Sequence, residues 1–109
     1  MRLSATAPKD AQLELPKDVV FLRSTPLFNE ANLPAALRAD HHTKEGSWGR
    51  IRIVTGQLRY EIRDPRRPFS TTVLTPQCAP AIIEPTILHR VEPVGTVEFQ
   101  VEFWRALAS

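Results

Sequence analysis

The run RIRIVTGQLRYEIR, Arg50 to Arg63, alternates apolar and polar residues with a period of two. Ile51 and Ile53 share one side of its first half, Leu58, Tyr60 and Ile62 share one side of its second, and Arg50, Arg52, Gln57, Arg59, Glu61 and Arg63 take the other. Successive side chains on extended backbone point to opposite faces, so this pattern buries one face of a sheet, whereas a helix would scatter the same apolar residues around its surface. The reading is a β-hairpin with Gly56 at its tip, where a positive φ costs glycine nothing. A second run, TVEFQVEFW, places Val97, Phe99, Val101 and Phe103 on one apolar face and Glu98, Gln100 and Glu102 on the other.

Shorter strand candidates surround these two: VVFLR, TTVLT, PAIIE and HRVEP. Ten prolines punctuate the chain, and only LPAALR, with Pro34 near its start, suggests a helical turn. Many short strands joined by glycine and proline turns imply an all-β sandwich or small barrel. With 109 residues, of which 42% are hydrophobic and 24% charged, the chain is one domain's worth and can bury a core without staples. Residues 1–12 mix small, charged and proline residues without periodicity and read as a flexible N-terminal arm, leaving 13–109 as a single domain.

Several function classes recede on composition. Eleven of the fourteen basic residues are arginines, but they are scattered and the net charge is only +2, which argues against a nucleic-acid partner. No apolar run approaches the roughly 18 residues of a membrane span. The opening MRLSATAPKDAQLELP lacks the apolar centre of a secretory signal, so a cytoplasmic protein without membrane contact is expected. Cys78 is the sole cysteine, which excludes an internal disulfide and a cysteine metal cluster, and TPQCAP offers no base or cation to activate it.

Chemistry concentrates in two stretches, DHHTKEGSWG and AIIEPTILHRVEP. If PAIIE and HRVEP pair across the four residues Pro85 to Leu88, Glu84 and His89 stand directly opposite with Cβ atoms roughly 5 Å apart. That pair is either a charge-assisted hydrogen bond or part of a metal site, since imidazole and carboxylate together suit zinc, iron, nickel or manganese. A third ligand would come from the doublet: neighbours on extended backbone face opposite ways, so one of His41 and His42 joins the site and the other meets solvent. Trp48 and Tyr60 read as packing residues within reach of a ligand. Lys44 is a solvated lysine or an anion attractor, and Glu102 is a weaker carboxylate candidate because alternation places it opposite the apolar face.

The segments HHTKEGSWGRIRIVTGQLRYEI, IIEPTILHRVEP, VEFQVEFW and TPLFNEANLPAAL together resemble the TehB/YeaR-like domain, over about Leu15 to Trp104. That domain occurs as a small stand-alone bacterial protein and fused ahead of the methyltransferase in some tellurite-resistance proteins. The resemblance implies a cupin-like double-stranded β-helix, a small jelly-roll barrel, holding one divalent metal, with zinc first and iron, nickel or manganese as alternatives. The implied metal set is His41, Glu84 and His89. The pattern around Thr43-Lys44 points to His41, whereas counting back from Gly56 along the usual first cupin motif points to His42, with Gly49 where that motif has a glutamate.

Three accounts of function follow: a metal-dependent enzyme, a non-catalytic module that binds or senses a small molecule or oxyanion, and a structural module. The family association suggests use in tellurite or nitrogen-oxide stress. The partners expected are a small molecule or anion in the barrel and a second copy in a homodimer, because exposed edge strands need covering.

Overall fold

The computed structural model describes residues 14–78 and 80–107; the arm expected over 1–12 lies outside them. In chain order the elements are β1 (Val19–Ser24), β2 (Phe28–Asn29), a 3-10 turn (Ala35–Arg38), β3 (Ser47–Ile62), β4 (Ser70–Leu74), β5 (Ala81–Ile83) and β6 (His89–Ala106). All six strands join one antiparallel sheet of order β1-β6-β3-β4, with β2 added to β6 and β5 to β3. The all-β class holds. The path has two ends, so these pairings make an open antiparallel sheet.

The sheet is built on one long pairing, from Ser47↔Arg105 to Ile62↔His89. The expected hairpin is therefore absent: Arg50 to Ile62 is a single continuous strand, and HRVEP and TVEFQVEFW are one strand too. Ile53 and Leu58 both face inward although they are an odd number of residues apart, so the alternation slips by one between them. A turn and a β-bulge produce the same slip in sequence. Here the register shifts twice, between Ile53 and Thr55 and between Gly56 and Leu58, and Gly56 (φ +83°) and Gly95 (φ +73°) take the positive-φ backbone this requires. Bulges bend a strand and increase its twist. The ribbon curls as a result, and Val91 and Phe103, near opposite ends of β6, line the same cavity.

Packing follows the alternation. Phe99, Ile51, Leu58 and Val97 are at most 1% exposed, and β2 sets Phe28 opposite Phe99 with the rings 5.7 Å apart edge to face. Burying a phenylalanine of this kind stabilises by about 2–3 kcal/mol before the edge-to-face contact is counted. Pro34 opens the 3-10 turn as its fixed φ favours; Leu33, just before it, belongs to the core, and Leu37 packs onto the core from the turn. The other face of the β3–β6 ribbon is charged: Glu102 receives Arg50 at 2.8 Å and Arg52 at 3.7 Å, so these two arginines find their counter-charge within the sheet.

A methyl group added at Gly56 would strike the Thr96 carbonyl and the Val97 backbone, whereas at Gly46 (φ +82°) it would meet open space. Gly56→Ala is expected to lower the unfolding free energy by about 3 kcal/mol, combining left-handed strain with overpacking, and Gly46→Ala by about 1 kcal/mol from strain alone. Urea denaturation of the two variants checks this; equal losses would mean that the bulge does not press Gly56 against β6.

Candidate functional site

Inside the curl lies a cavity of about 330 Å³, at the small end of the range for ligand pockets. Phe28, Ile51, Ile83, Val91, Phe99 and Phe103 supply apolar wall, and His41, His42 and His89 reach it from the segment before β3 and the start of β6. Among the described residues no aspartate or glutamate lines it.

His89 opens β6 and is 2% exposed. Its Nδ1 lies 2.9 Å from the Ile87 carbonyl, and a carbonyl only accepts, so Nδ1 carries the proton and Nε2 presents a lone pair. Burial pushes its pKa down to about 4, which keeps the ring neutral at neutral pH. His41 is set against it by a two-way backbone bridge, each N–H donating to the other's carbonyl at 2.9 Å. The rings stand edge to face with centroids 4.1 Å apart. His41 Nδ1 is taken by the Ala39 carbonyl at 2.9 Å and His42 Nδ1 by the Thr43 carbonyl at 3.0 Å, so all three rings use the same nitrogen on backbone.

Charged clasps hold both histidine segments. The loop entering β6 is tied to Asp64, which is 4% exposed and accepts hydrogen bonds from the Leu88 N–H (2.9 Å) and from the Arg66 backbone and guanidinium (2.8 Å). These bonds, those from Arg66 first, hold its carboxyl well below the usual carboxylate range. Arg66 continues to the Thr86 carbonyl at 2.6 Å, fixing a threonine at φ +68°. The segment carrying His41 is pinned on both sides, by Arg38 to Glu92 at 2.9 Å and by Arg63 to Asp40 at 3.0 Å.

The residues singled out in sequence part company here. His41 and His89 come together; His42 lines the cavity but is exposed. Glu84 does not stand opposite His89, because β5 pairs with β3 at Gly49–Ile51 while His89 pairs with Ile62 and His41. Its carboxylate is bound at both oxygens by Arg67, at 3.0 and 2.9 Å. Tyr60 lies behind the site, its ring 5.7 Å from that of His89 and its hydroxyl, whose pKa burial pushes up, donating to the Ile82 carbonyl at 3.4 Å. Trp48 and Lys44 are outside the cavity, and Glu102 is on the charged outer face. Sequence reasoning missed Arg23 and Asp64: the first lines the cavity from β1, the second holds the loop, and neither sits in a motif.

A family model described as the TehB-like domain matches residues 23–101. A Haemophilus influenzae protein named "Probable S-adenosyl-L-methionine-dependent methyltransferase TehB" is 28% identical over 79 residues, which cover 72% of this chain and 28% of that protein. The crystal structure of Haemophilus influenzae TehB superposes with a TM-score of 0.75 at 24% identity, over 83% of this chain and 32% of that one. A solved protein from E. coli strain K12 gives the same TM-score at 23% identity, over 89% of this chain and 100% of its own. The chain thus spans under a third of its curated methyltransferase relatives but the whole of that solved E. coli protein. Among the described residues no helix is long and apolar enough to cross a membrane.

These findings overturn the reading of a cupin-type centre for zinc or another divalent metal. The relatives are named for S-adenosyl-L-methionine, and among the described residues no three His, Cys, Asp or Glu side chains gather that could hold an ion. The physical reason is local: two imidazoles converge, but the carboxylate assigned to complete the set is committed to Arg67.

The two buried groups separate by pH. His89 has a folded pKa below its ordinary 6.5, so the unfolded chain binds its proton first and stability falls as pH drops from about 6.5 to about 4. NMR of the ring nitrogens is expected to show His89 neutral, with the proton on Nδ1, down to pH 5; titration near 6.5 would mean an open, hydrated ring. Asp64 has a depressed pKa, so its contribution is present above about pH 4 and is lost as pH falls below that value. Asp64→Asn is accordingly expected to lose stability at pH 7 and to flatten the acid limb below pH 4 in denaturation curves. An unchanged acid limb would show that the clasp does not need the charge.

Proposed function

We propose that this chain, which belongs to the TehB-like domain family, holds a small methyl-accepting molecule in its cavity for methyltransferase chemistry that uses S-adenosyl-L-methionine. The observation that carries the reading is the cavity itself, a pocket inside the curled sheet with apolar walls and imidazoles that have one ring nitrogen free. The family link supplies the reaction class. The short span of the match leaves most of the methyltransferase relatives' length for the transfer step.

The cavity does not suit S-adenosyl-L-methionine. A sulfonium and ribose hydroxyls call for carboxylates, and none lines this pocket among the described residues. The imidazoles suit the other reactant. A hydroxyl, amine or thiol that is to receive a methyl group must bring a proton, and a neutral imidazole Nε2 is an acceptor for it within an apolar enclosure. Methyl transfer then needs only that the accepting atom be held and turned toward the donor.

Leu37, half-buried on the 3-10 turn at the rim, gives a test that spares the deep core. Phenol, used as an apolar probe with one donor, is expected to shift the NMR methyl signals of Ile51, Ile83 and Val91 in the natural chain. Leu37→Trp, which fills the rim, should weaken that binding at least tenfold while its circular dichroism stays unchanged. S-adenosyl-L-methionine should leave the same signals in place, and the chain alone should transfer no label from the methyl-labelled compound. Turnover by the chain alone, or phenol binding indifferent to the rim, would overturn this division of labour.

A further inference from the structure

We infer that the ligand of this cavity is a small carboxylic acid with an apolar body and a second group that donates a hydrogen bond, the carboxylate held by Arg23 and the donor by Nε2 of His89. This rests on the reading that the cavity holds a small molecule and adds the chemical class.

Most side-chain polar atoms at the cavity are already paired within the protein. Thr25 Oγ1 donates to the Pro26 carbonyl at 2.8 Å and accepts from the Val101 N–H at 3.0 Å, and Thr43 Oγ1 donates to the Ser47 carbonyl at 2.7 Å. Each imidazole spends Nδ1 on a carbonyl. What remains for a ligand is the Nε2 edge of the rings, which at the buried His89 is a lone pair that only a donor satisfies, and the Arg23 guanidinium. Arg38, Arg50, Arg63, Arg66 and Arg67 each hold a carboxylate within 3.0 Å. Arg23 has none among the described residues; its guanidinium lies 4.6 Å over the Phe103 ring, which also lines the cavity.

A guanidinium stacked on an aromatic face keeps its edge N–H groups free, and their fork matches a carboxylate at two points. Because no acidic side chain among the described residues lines the pocket, an entering anion meets no repulsion there and an entering cation finds no counter-charge. The imidazole end selects for the opposite hydrogen-bonding sense. His89 stays neutral there because it is buried, so a bare anion would face a lone pair while a hydroxyl, amine or thiol would complete a hydrogen bond.

Three probes of one size separate the terms: 4-hydroxyphenylacetate, its neutral amide, and phenylacetate. Binding is followed by the cavity methyl signals in the natural chain and in Arg23→Gln, an exposed position whose change leaves the core alone. The hydroxylated acid is expected to bind about tenfold tighter than its amide and than phenylacetate, the scale of one charge-assisted or buried hydrogen bond. Arg23→Gln should bring acid and amide level without weakening the amide. Equal binding of acid and amide to the natural chain, or a preference that survives Arg23→Gln, would overturn the carboxylate assignment, and phenylacetate matching the hydroxylated acid would overturn the donor assignment; either leaves the cavity as a small-molecule site. If no probe moves the cavity signals, both the class and the underlying reading fall.

Discussion

Everything in this fold hangs on the pairing of β3 with β6, strands of 16 and 18 residues joined from Ser47↔Arg105 to Ile62↔His89. A flat ribbon of that length would expose one face to solvent from end to end. The bulges around Val54 and Gly56 break the register, and Gly95 accommodates the matching irregularity on the partner strand. The bend lets Phe99, Val101 and Phe103 at one end of β6 share an interior with His89 and Val91 at the other. Every other strand is an addition to this ribbon. The cavity is a consequence of its curvature.

The outer elements have a second task, which is to hold loops that carry the histidines. Individual ion pairs on an exposed surface contribute little, about 0–1 kcal/mol each. The Asp64 clasp differs in kind, because its carboxylate is nearly buried and binds backbone as well as guanidinium. It fixes the backbone at Leu88, the residue immediately before His89, while the ring is oriented by its own Nδ1 bond to the Ile87 carbonyl. The Arg38–Glu92 and Arg63–Asp40 pairs do the same more loosely for His41. A lever of this type matters for a binding site because small rotations of an imidazole move its lone pair by a large fraction of a hydrogen-bond length.

The sequence showed the fold class because period-two alternation is a local property. Val97, Phe99 and Val101 against Glu98, Gln100 and Glu102 could be assigned to opposite faces before any partner strand was known, and the structure keeps them there. The connection between strands was not legible. A phase slip between Ile53 and Leu58 marks a turn and a bulge alike, and what decides is the partner strand, which no local pattern contains. The same limit governed the site. His41 and His89 were flagged by residue type, and their meeting depends on a backbone bridge between residues far apart in the chain. Glu84 was assigned by assuming that adjacent strands pair; β5 instead pairs with β3, and the carboxylate goes to Arg67, whose arginine neighbour and proline flanks looked like an ordinary polar loop. Arg23 could not be distinguished from ten other arginines, because what sets it apart is the lack of a carboxylate partner among the described residues.

On the proposed reading, the buried histidine accounts for the ligand end of the cavity. An imidazole placed in an apolar interior costs free energy unless its polar atoms are satisfied, and most buried side-chain polar atoms find partners. His89 satisfies one nitrogen with the Ile87 carbonyl two residues back, a bond that its own loop geometry guarantees. Its second nitrogen has no hydrogen-bond partner among the described residues, although Tyr60 packs only a ring's width away and turns its hydroxyl to the Ile82 carbonyl instead. A phenylalanine or leucine would fill the same space without that cost. On that reading the missing donor arrives with the ligand, and burial, by favouring the neutral ring, keeps the lone pair available to meet it. On the proposed reading fold and chemistry meet at His89, whose ring lines the cavity and whose preceding residue, Leu88, is bound by Asp64.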